Sequence, residues 1–412
     1  MIRAIAPVAA LLFGTAILLT GQGLQGTLLP VRATLEEFST ISIGLMGGAY
    51  FLGFTYGCWK GAELIRGAGH VRVFAAMTAV ASATPLLHGL WVNPWLWGSL
   101  RFVSGFCFAV LYLVIESWLN ERSTNENRGS IFSAYILINM TVLGVGQQML
   151  LFYDPLNLNL FALASVLVSL AAVPVVLSKS ETPRAIEETK LNFRYLYRNS
   201  TVGMLGSMAC GLTNGSFWTL APVFSVAYSG DISLTAHFMT AVVFGGALGQ
   251  WPLGWLSDRI DRRIVLAGIS VAGVIIAAIM WLMAEEFSDI GIISMGAMWG
   301  AIAFPVYSIS VAHANDRADA GNFVMVSAGL LLMYGVGAII GPFIASAMMT
   351  YGTPDYLFLF TGIVHLLLAL YVVTRSLLRS QASEIQHTPF SDALASTQTR
   401  SQIYEDELER EN

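Results

Sequence analysis

Twelve apolar runs, six on either side of a charged stretch, restrict what this chain can fold into more than any other feature. They lie near 4–31, 41–60, 72–90, 97–120, 130–152 and 157–178, then near 200–226, 234–256, 264–284, 290–313, 321–349 and 355–378. About 20 apolar residues in an α-helix cross the hydrocarbon core of a bilayer. Inside lipid, helices satisfy every backbone donor and acceptor internally. Hydrophobic residues make up 55% of the 412 and charged residues only 11%, with a mean hydropathy of +0.66. The fold class expected is therefore an all-α integral membrane protein with 12 transmembrane helices in two six-helix bundles. The first run is too long for a signal peptide and lacks a small-residue cleavage site, so it reads as a retained span.

The expected domains are an N-terminal bundle at 1–178, a cytoplasmic linker at 179–200, a C-terminal bundle at 201–378 and a tail at 379–412. The linker holds Glu181, Arg184, Glu187, Glu188, Lys190, Arg194 and Arg198. The tail is polar and acidic (Glu405, Asp406, Glu407, Glu409, Glu411) and reads as disordered. Orientation follows from Lys and Arg. With the N-terminus inside, only Arg32, in an outer loop, and Arg101, within a span, fall off the inner side, leaving 21 − 2 = 19 there. Both termini are then cytoplasmic.

The halves resemble each other. Gln22-Gly23 and Thr27-Leu28-Leu29-Pro30-Val31 return 192 residues later as Asn214-Gly215 and Thr219-Leu220-Ala221-Pro222-Val223. Gly105, Tyr112, Asn120, Glu121 and Arg122 return 195 residues later as Gly300, Tyr307, Asn315, Asp316 and Arg317. Equivalent helices then point the same way, a parallel repeat about an axis along the membrane normal.

Residues 254–263 read Gly-Trp-Leu-Ser-Asp-Arg-Ile-Asp-Arg-Arg, a dense charge cluster between two spans. The pattern Gly-x-x-x-Asp-Arg-x-x-Arg-Arg resembles the signature loop of the major facilitator superfamily of transporters. Arg101-x-x-x-Gly105-x-x-x-Ala109 is similar to its fourth-helix motif. Gly249-Gln-Trp-Pro-Leu-Gly254, Glu116-Ser117, Asn127-Arg128-Gly129 and Ala134-Tyr135 resemble a bacterial branch called YcaD-like. The resemblance reaches to about residue 378 and implies two bundles rocking about a central site, in a bacterial inner membrane. Asp258 is expected to cap the positive end of a neighbouring helix, forming a cytoplasmic latch with Arg259, Arg262 and Arg263. In the first-half loop Gly61–Arg72, Ile65 replaces that carboxylate and Arg66 keeps a cation, so the latch should depend on the second half.

On the fourth run Arg101, Gly105, Ala109, Tyr112 and Glu116 fall on one helical face. Intramembrane charges usually face the bundle interior. Arg101 reads equally as a substrate or proton contact and as a packing residue. Glu116, close to the inner loop bearing Arg122 and Arg128, is expected to form a salt bridge at the cytoplasmic gate, with a proton carrier as the other reading. Gln22, Gln25, Arg101, Tyr112, Asn139, Asn214, Trp218, Tyr307 and Tyr334 are the candidate cavity residues, Gln22 and Asn214 standing at equivalent positions of two helices that the resemblance implies face each other across the centre. Such a lining suits a largely uncharged, partly aromatic solute.

No metal or other cofactor is expected: Cys58, Cys107, Cys210, His237, His313 and His365 have no ligand spacing. No phosphate-cradling loop, catalytic constellation or nucleic-acid-binding stripe is present. The expected partners are a small solute, a coupling proton and the lipid bilayer, the protein acting as a monomer. The fifth run has Gly144 and Gly146 but no Gly-Pro, unlike drug antiporters of the superfamily. Uptake is the leading reading, with a riboflavin-like vitamin as the named candidate. A proton-coupled efflux pump and a non-transporting membrane sensor stay open.

Overall fold

The computed structural model describes residues 8–123, 128–177, 192–319 and 322–378. Twelve long helices follow one another: α1 (Ala9–Leu35), α2 (Thr40–Ala68), α3 (His70–Leu90), α4 (Pro94–Glu121), α5 (Arg128–Gln148) and α6 (Asn159–Leu170) in the first half. The second half holds α7 (Thr201–Ser229), α8 (Ile232–Ser257), α9 (Arg262–Met283), α10 (Asp289–Asn315), α11 (Phe323–Tyr351) and α12 (Tyr356–Leu378). Eleven spans among the described residues are long and apolar enough to cross a membrane, and α7 is not one of them. The polarity of α7 is turned inward: Thr201, Ser207, Thr213, Asn214, Ser216, Thr219 and Ser225 are all buried.

Small residues set the packing, because dispersion rather than the hydrophobic effect drives helix association in lipid. In the first half α1 packs on α5 and α2 on α4; in the second, α7 packs on α11 and α8 on α10. The contacts repeat at the level of single glycines. A Cβ at Gly23 would stand 2.5 Å from the Leu143 carbonyl oxygen, and one at Gly215 2.8 Å from that of Ala338. Each position in the second pair is the repeat partner of one in the first. Gly105 likewise meets the Tyr50 carbonyl as Gly300 meets that of Val242. The duplication read in the sequence is therefore a duplication of backbone contacts.

The halves meet along α2–α11, α5–α8, α1–α7 and α2–α7. The close approaches gather near one end of the bundle. Gly44 abuts Ser346 and Pro342, Gly48 abuts Ile339, and Gln148 Nε2 donates to Thr240 Oγ1 at 2.7 Å. This closed end carries the α1–α2 turn and the C-terminus of α11; the opposite end carries the 258–263 loop.

Several boundaries differ from those expected. Helix α2 runs past residue 60 to Ala68 because Ala62 and Ile65 bury there and Lys60 pairs with Glu63 at 2.8 Å. Most of the expected 61–72 loop is therefore helix, and the turn is Gly69 alone, at φ 83°. Arg32, expected in an outer loop, sits in the last turn of α1, bridging Glu36 at 2.6 Å and donating to the Pro155 carbonyl at 2.8 Å. α6 breaks at Ala171 before resuming as Ala172–Val176, since Pro174 has no N–H for the Leu170 carbonyl. Within the expected linker, Phe193–Asn199 forms a short helix capped by Asn192. The rest of the linker from 179 to 191, and the 379–412 tail, lie outside the described residues.

Candidate functional site

Midway along the bundle, both halves wall a cavity of ≈ 290 Å³. The first half supplies Gln22 and Gln25 from α1, Tyr50 from α2, Arg101 and Tyr112 from α4, and Gln147 from α5. The second supplies Trp218 and Thr219 from α7, and Leu331 and Tyr334 from α11. One connected polar cluster dominates it. The Arg101 guanidinium lies 4.1 Å from the Tyr50 ring centroid. Gln22 Nε2 donates to the Tyr50 hydroxyl at 2.9 Å, and the Tyr112 hydroxyl donates to Gln22 Oε1 at 2.8 Å. Gln22 thus holds a fixed orientation between two phenols.

Arg101 is the only formally charged side chain in this lining, and no carboxylate lies within ion-pair distance of it among the described residues. The Tyr50 ring face offers a cation about 0.5–2 kcal/mol, depending on how dry the site is. Gln147 adds an acceptor, Oε1, that is buried without a hydrogen-bond partner.

Six of the expected cavity residues line it: Gln22, Gln25, Arg101, Tyr112, Trp218 and Tyr334. Asn139, Asn214 and Tyr307 do not. Asn139 is buried on α5, 1% exposed. The Asn214 side chain, one methylene shorter than that of Gln22, turns back along its own helix, with Nδ2 3.3 Å from the Cys210 sulfur. Their helices α1 and α7 pack on one another, but only Gln22 reaches the cavity lining. Tyr307 lies behind Tyr334, the ring centroids 5.3 Å apart. Tyr50 and Gln147 escaped the sequence reading. The signal for Tyr50 in the sequence is that it directly follows the small-residue run Gly47-Gly48-Ala49.

The charged end is organised around Arg262, 1% exposed, whose Nε contacts Asp316 Oδ2 at 2.7 Å while an Nη contacts Asp258 Oδ1 at 3.2 Å. Asp261 caps α9 and pairs with Arg263 at 2.7 Å. Burial pushes the Asp261 carboxyl up, but the hydrogen bonds and charge of Arg263 outweigh it and hold the group below the usual carboxylate range. Arg259 stacks on Trp255, 3.7 Å from its ring centroid. These contacts bind the loop to α10 of its own half. Arg66 is exposed at the end of α2, and the Arg128 side chain lies outside the described residues. Glu116 forms no ion pair among the described residues. It is buried, 3% exposed, with the Tyr135 hydroxyl 3.4 Å from Oε1 and no partner for Oε2.

The comparisons with known proteins agree with this architecture. The sequence model of the Major Facilitator Superfamily matches residues 203–405. An uncharacterized MFS-type transporter, YcaD, of Escherichia fergusonii is 25% identical over 92% of this chain and 98% of its own length. Among solved structures, the nucleoside transporter NupG superposes with a TM-score of 0.76 at 13% identity, over 89% of this chain and 98% of that one. A bacterial homolog of the human lysosomal transporter Spinster, inward-facing and occupied, gives 0.69 at 12% identity, over 97% and 99%. The second half thus matches the sequence model of the Major Facilitator Superfamily, and nearly the whole chain is similar, at about 25% identity, to transporters named as YcaD-like and MFS-type.

Proposed function

We propose that the protein is a secondary transporter that moves a small, largely uncharged organic solute across a bacterial inner membrane by alternating access, with uptake favoured. The observation that carries this reading is the cavity itself: its walls come from both bundles, so a rocking motion would open it first to one side and then to the other. Flush small-residue contacts at one end (Gly44 on Ser346, Gly48 on Ile339) provide a closure that separates without breaking charged pairs. The distribution of Lys and Arg puts the 258–263 end in the cytoplasm, which makes this conformation closed outward. Nothing in the similar proteins supports riboflavin. It is one probe among neutral metabolites.

A proton-coupled cycle, including efflux, is the second reading, and Glu116 favours it. A buried carboxyl with one long hydrogen bond and no cation is a place where a proton can be taken up and released. The test is counterflow in proteoliposomes. Vesicles preloaded with one unlabelled solute at a time, riboflavin and uridine among them, should accumulate its labelled form only when the protein is present. A panel of neutral and singly charged metabolites that all bind yet never exchange would establish the sensor reading instead.

A further inference from the structure

A second cavity, of ≈ 340 Å³, lies between α2 and α11 and adjoins the first. Phe51, Phe54, Leu331 and Tyr334 line both, so single side chains separate two neighbouring chambers. Their chemistry differs. The central chamber holds Arg101 and the amides; the second is walled by aliphatic and aromatic groups and contains no formally charged side chain. Thr55 and Gly335 touch across the α2–α11 seam, and the chamber continues past them along Cys58, Trp59 and Ala328. Three α2 residues in its wall, Leu52, Tyr56 and Trp59, are 49%, 42% and 62% exposed. In a spanning helix such surfaces face lipid, so this chamber borders the bilayer.

We propose that the two chambers form one site for a monoanionic amphiphile, a carboxylate carrying an extended apolar tail. This rests on the transporter reading above and names the class of its solute. The carboxylate lies against Arg101, whose charge is unmatched by any acid among the described residues. The tail passes Tyr334 into the α2–α11 chamber, which also gives it a route from the membrane. A solute of this kind is uncharged over most of its surface, as the lining requires. The single cation favours a carboxylate over a phosphate monoester, whose near-double charge would leave half its charge unpaired in a low-dielectric site.

Cys58 supplies the readout. It lines the apolar chamber and is partly exposed, whereas Cys107 and Cys210 are buried. The full chain in lipid nanodiscs is alkylated with N-ethylmaleimide in the presence of dodecanoate, dodecanol or butyrate. Dodecanoate is expected to slow the modification of Cys58 at concentrations about tenfold below dodecanol, because only the acid engages a desolvated cation. Butyrate, with no tail, is expected to give little protection. Arg101→Gln should erase the difference between acid and alcohol, and Arg101→Lys should restore part of it. Ala328→Phe should fill the apolar chamber and abolish protection by dodecanoate.

Equal protection by dodecanol and dodecanoate would overturn the proposal, as would a preference for the acid that survives in Arg101→Gln. Dodecanoate counterflow in proteoliposomes separates the two readings. Protection without counterflow supports the site and refutes transport. Counterflow of uridine without dodecanoate protection supports transport and refutes the site.

Discussion

Substituting three glycines tests the packing logic, because the structure assigns two of them a clash and the third open space. A methyl group at Gly23 on α1 would lie 2.5 Å from the Leu143 carbonyl oxygen and 3.0 Å from its Cα. Ordinary carbon–oxygen contacts begin at about 3.3 Å, so α1 and α5 would have to separate by roughly 0.8 Å. Overpacking of that kind costs about 1–3 kcal/mol. Against it stands the ordinary gain of Gly→Ala within a helix, about 0.5–1 kcal/mol, leaving Gly23→Ala destabilised by up to about 2.5 kcal/mol. Gly215→Ala on α7 meets Ala338 Cα at 2.7 Å and its carbonyl oxygen at 2.8 Å, the same clash in the other half. It should lose a similar amount. Gly26→Ala, one turn from Gly23 on the same helix, meets nothing within 4 Å. It should gain the full helix term. Apparent unfolding temperatures in nanodiscs at one fixed scan rate give the order Gly26→Ala above wild type, and Gly23→Ala and Gly215→Ala below it. If Gly23→Ala and Gly26→Ala shift in the same direction by the same amount, the argument from close α1–α5 contact is wrong.

Three further substitutions probe the charged groups. Asp316→Asn leaves the buried Arg262 with the half-exposed Asp258 as its remaining ion-pair partner; it should cost about 3–5 kcal/mol, whereas Arg262→Met with Asp316→Leu should recover most of that in the same thermal assay. Asp261→Ala removes the α9 cap and should cost about 0.5–2 kcal/mol at pH 7. Because Asp261 titrates below the ordinary carboxylate value, its contribution is complete above about pH 4 and fades as pH falls through the folded-state value. Variant and wild type should therefore draw together as the pH falls below about 4 and differ by a constant amount from about pH 5 to 8. Glu116→Gln, if Glu116 is the proton site, should flatten any pH dependence of conformation while leaving the unfolding temperature within a few degrees of wild type. A pH response unchanged in Glu116→Gln would remove it from that role.

The helices were legible in the sequence because lipid demands long apolar segments, and the repeat because backbone contact demands glycine at matching positions. Gly23 and Gly215 carry that signal in both halves. What composition does not record is the direction in which a side chain points. Gln22 and Asn214 are repeat partners, yet Gln22 reaches Tyr50 and Tyr112, whereas the shorter Asn214 finds Cys210 on its own helix. Tyr50 and Gln147 were missed for a related reason: neither is polar in its repeat partner's company, since Val242 stands where Tyr50 would recur. Glu116 looked like a gate residue by its position near arginines in the chain. Its helix carries it to Tyr135, away from any cation among the described residues.

Alternation of access at the cavity is the central claim, and labelling one cavity residue from the two sides of the membrane tests it directly. In a Cys58→Ser background, Gln147→Cys is exposed to an impermeant maleimide in sealed right-side-out and inside-out vesicles. The account predicts labelling from both sides, in right-side-out and inside-out vesicles alike. Labelling from one side alone would contradict it.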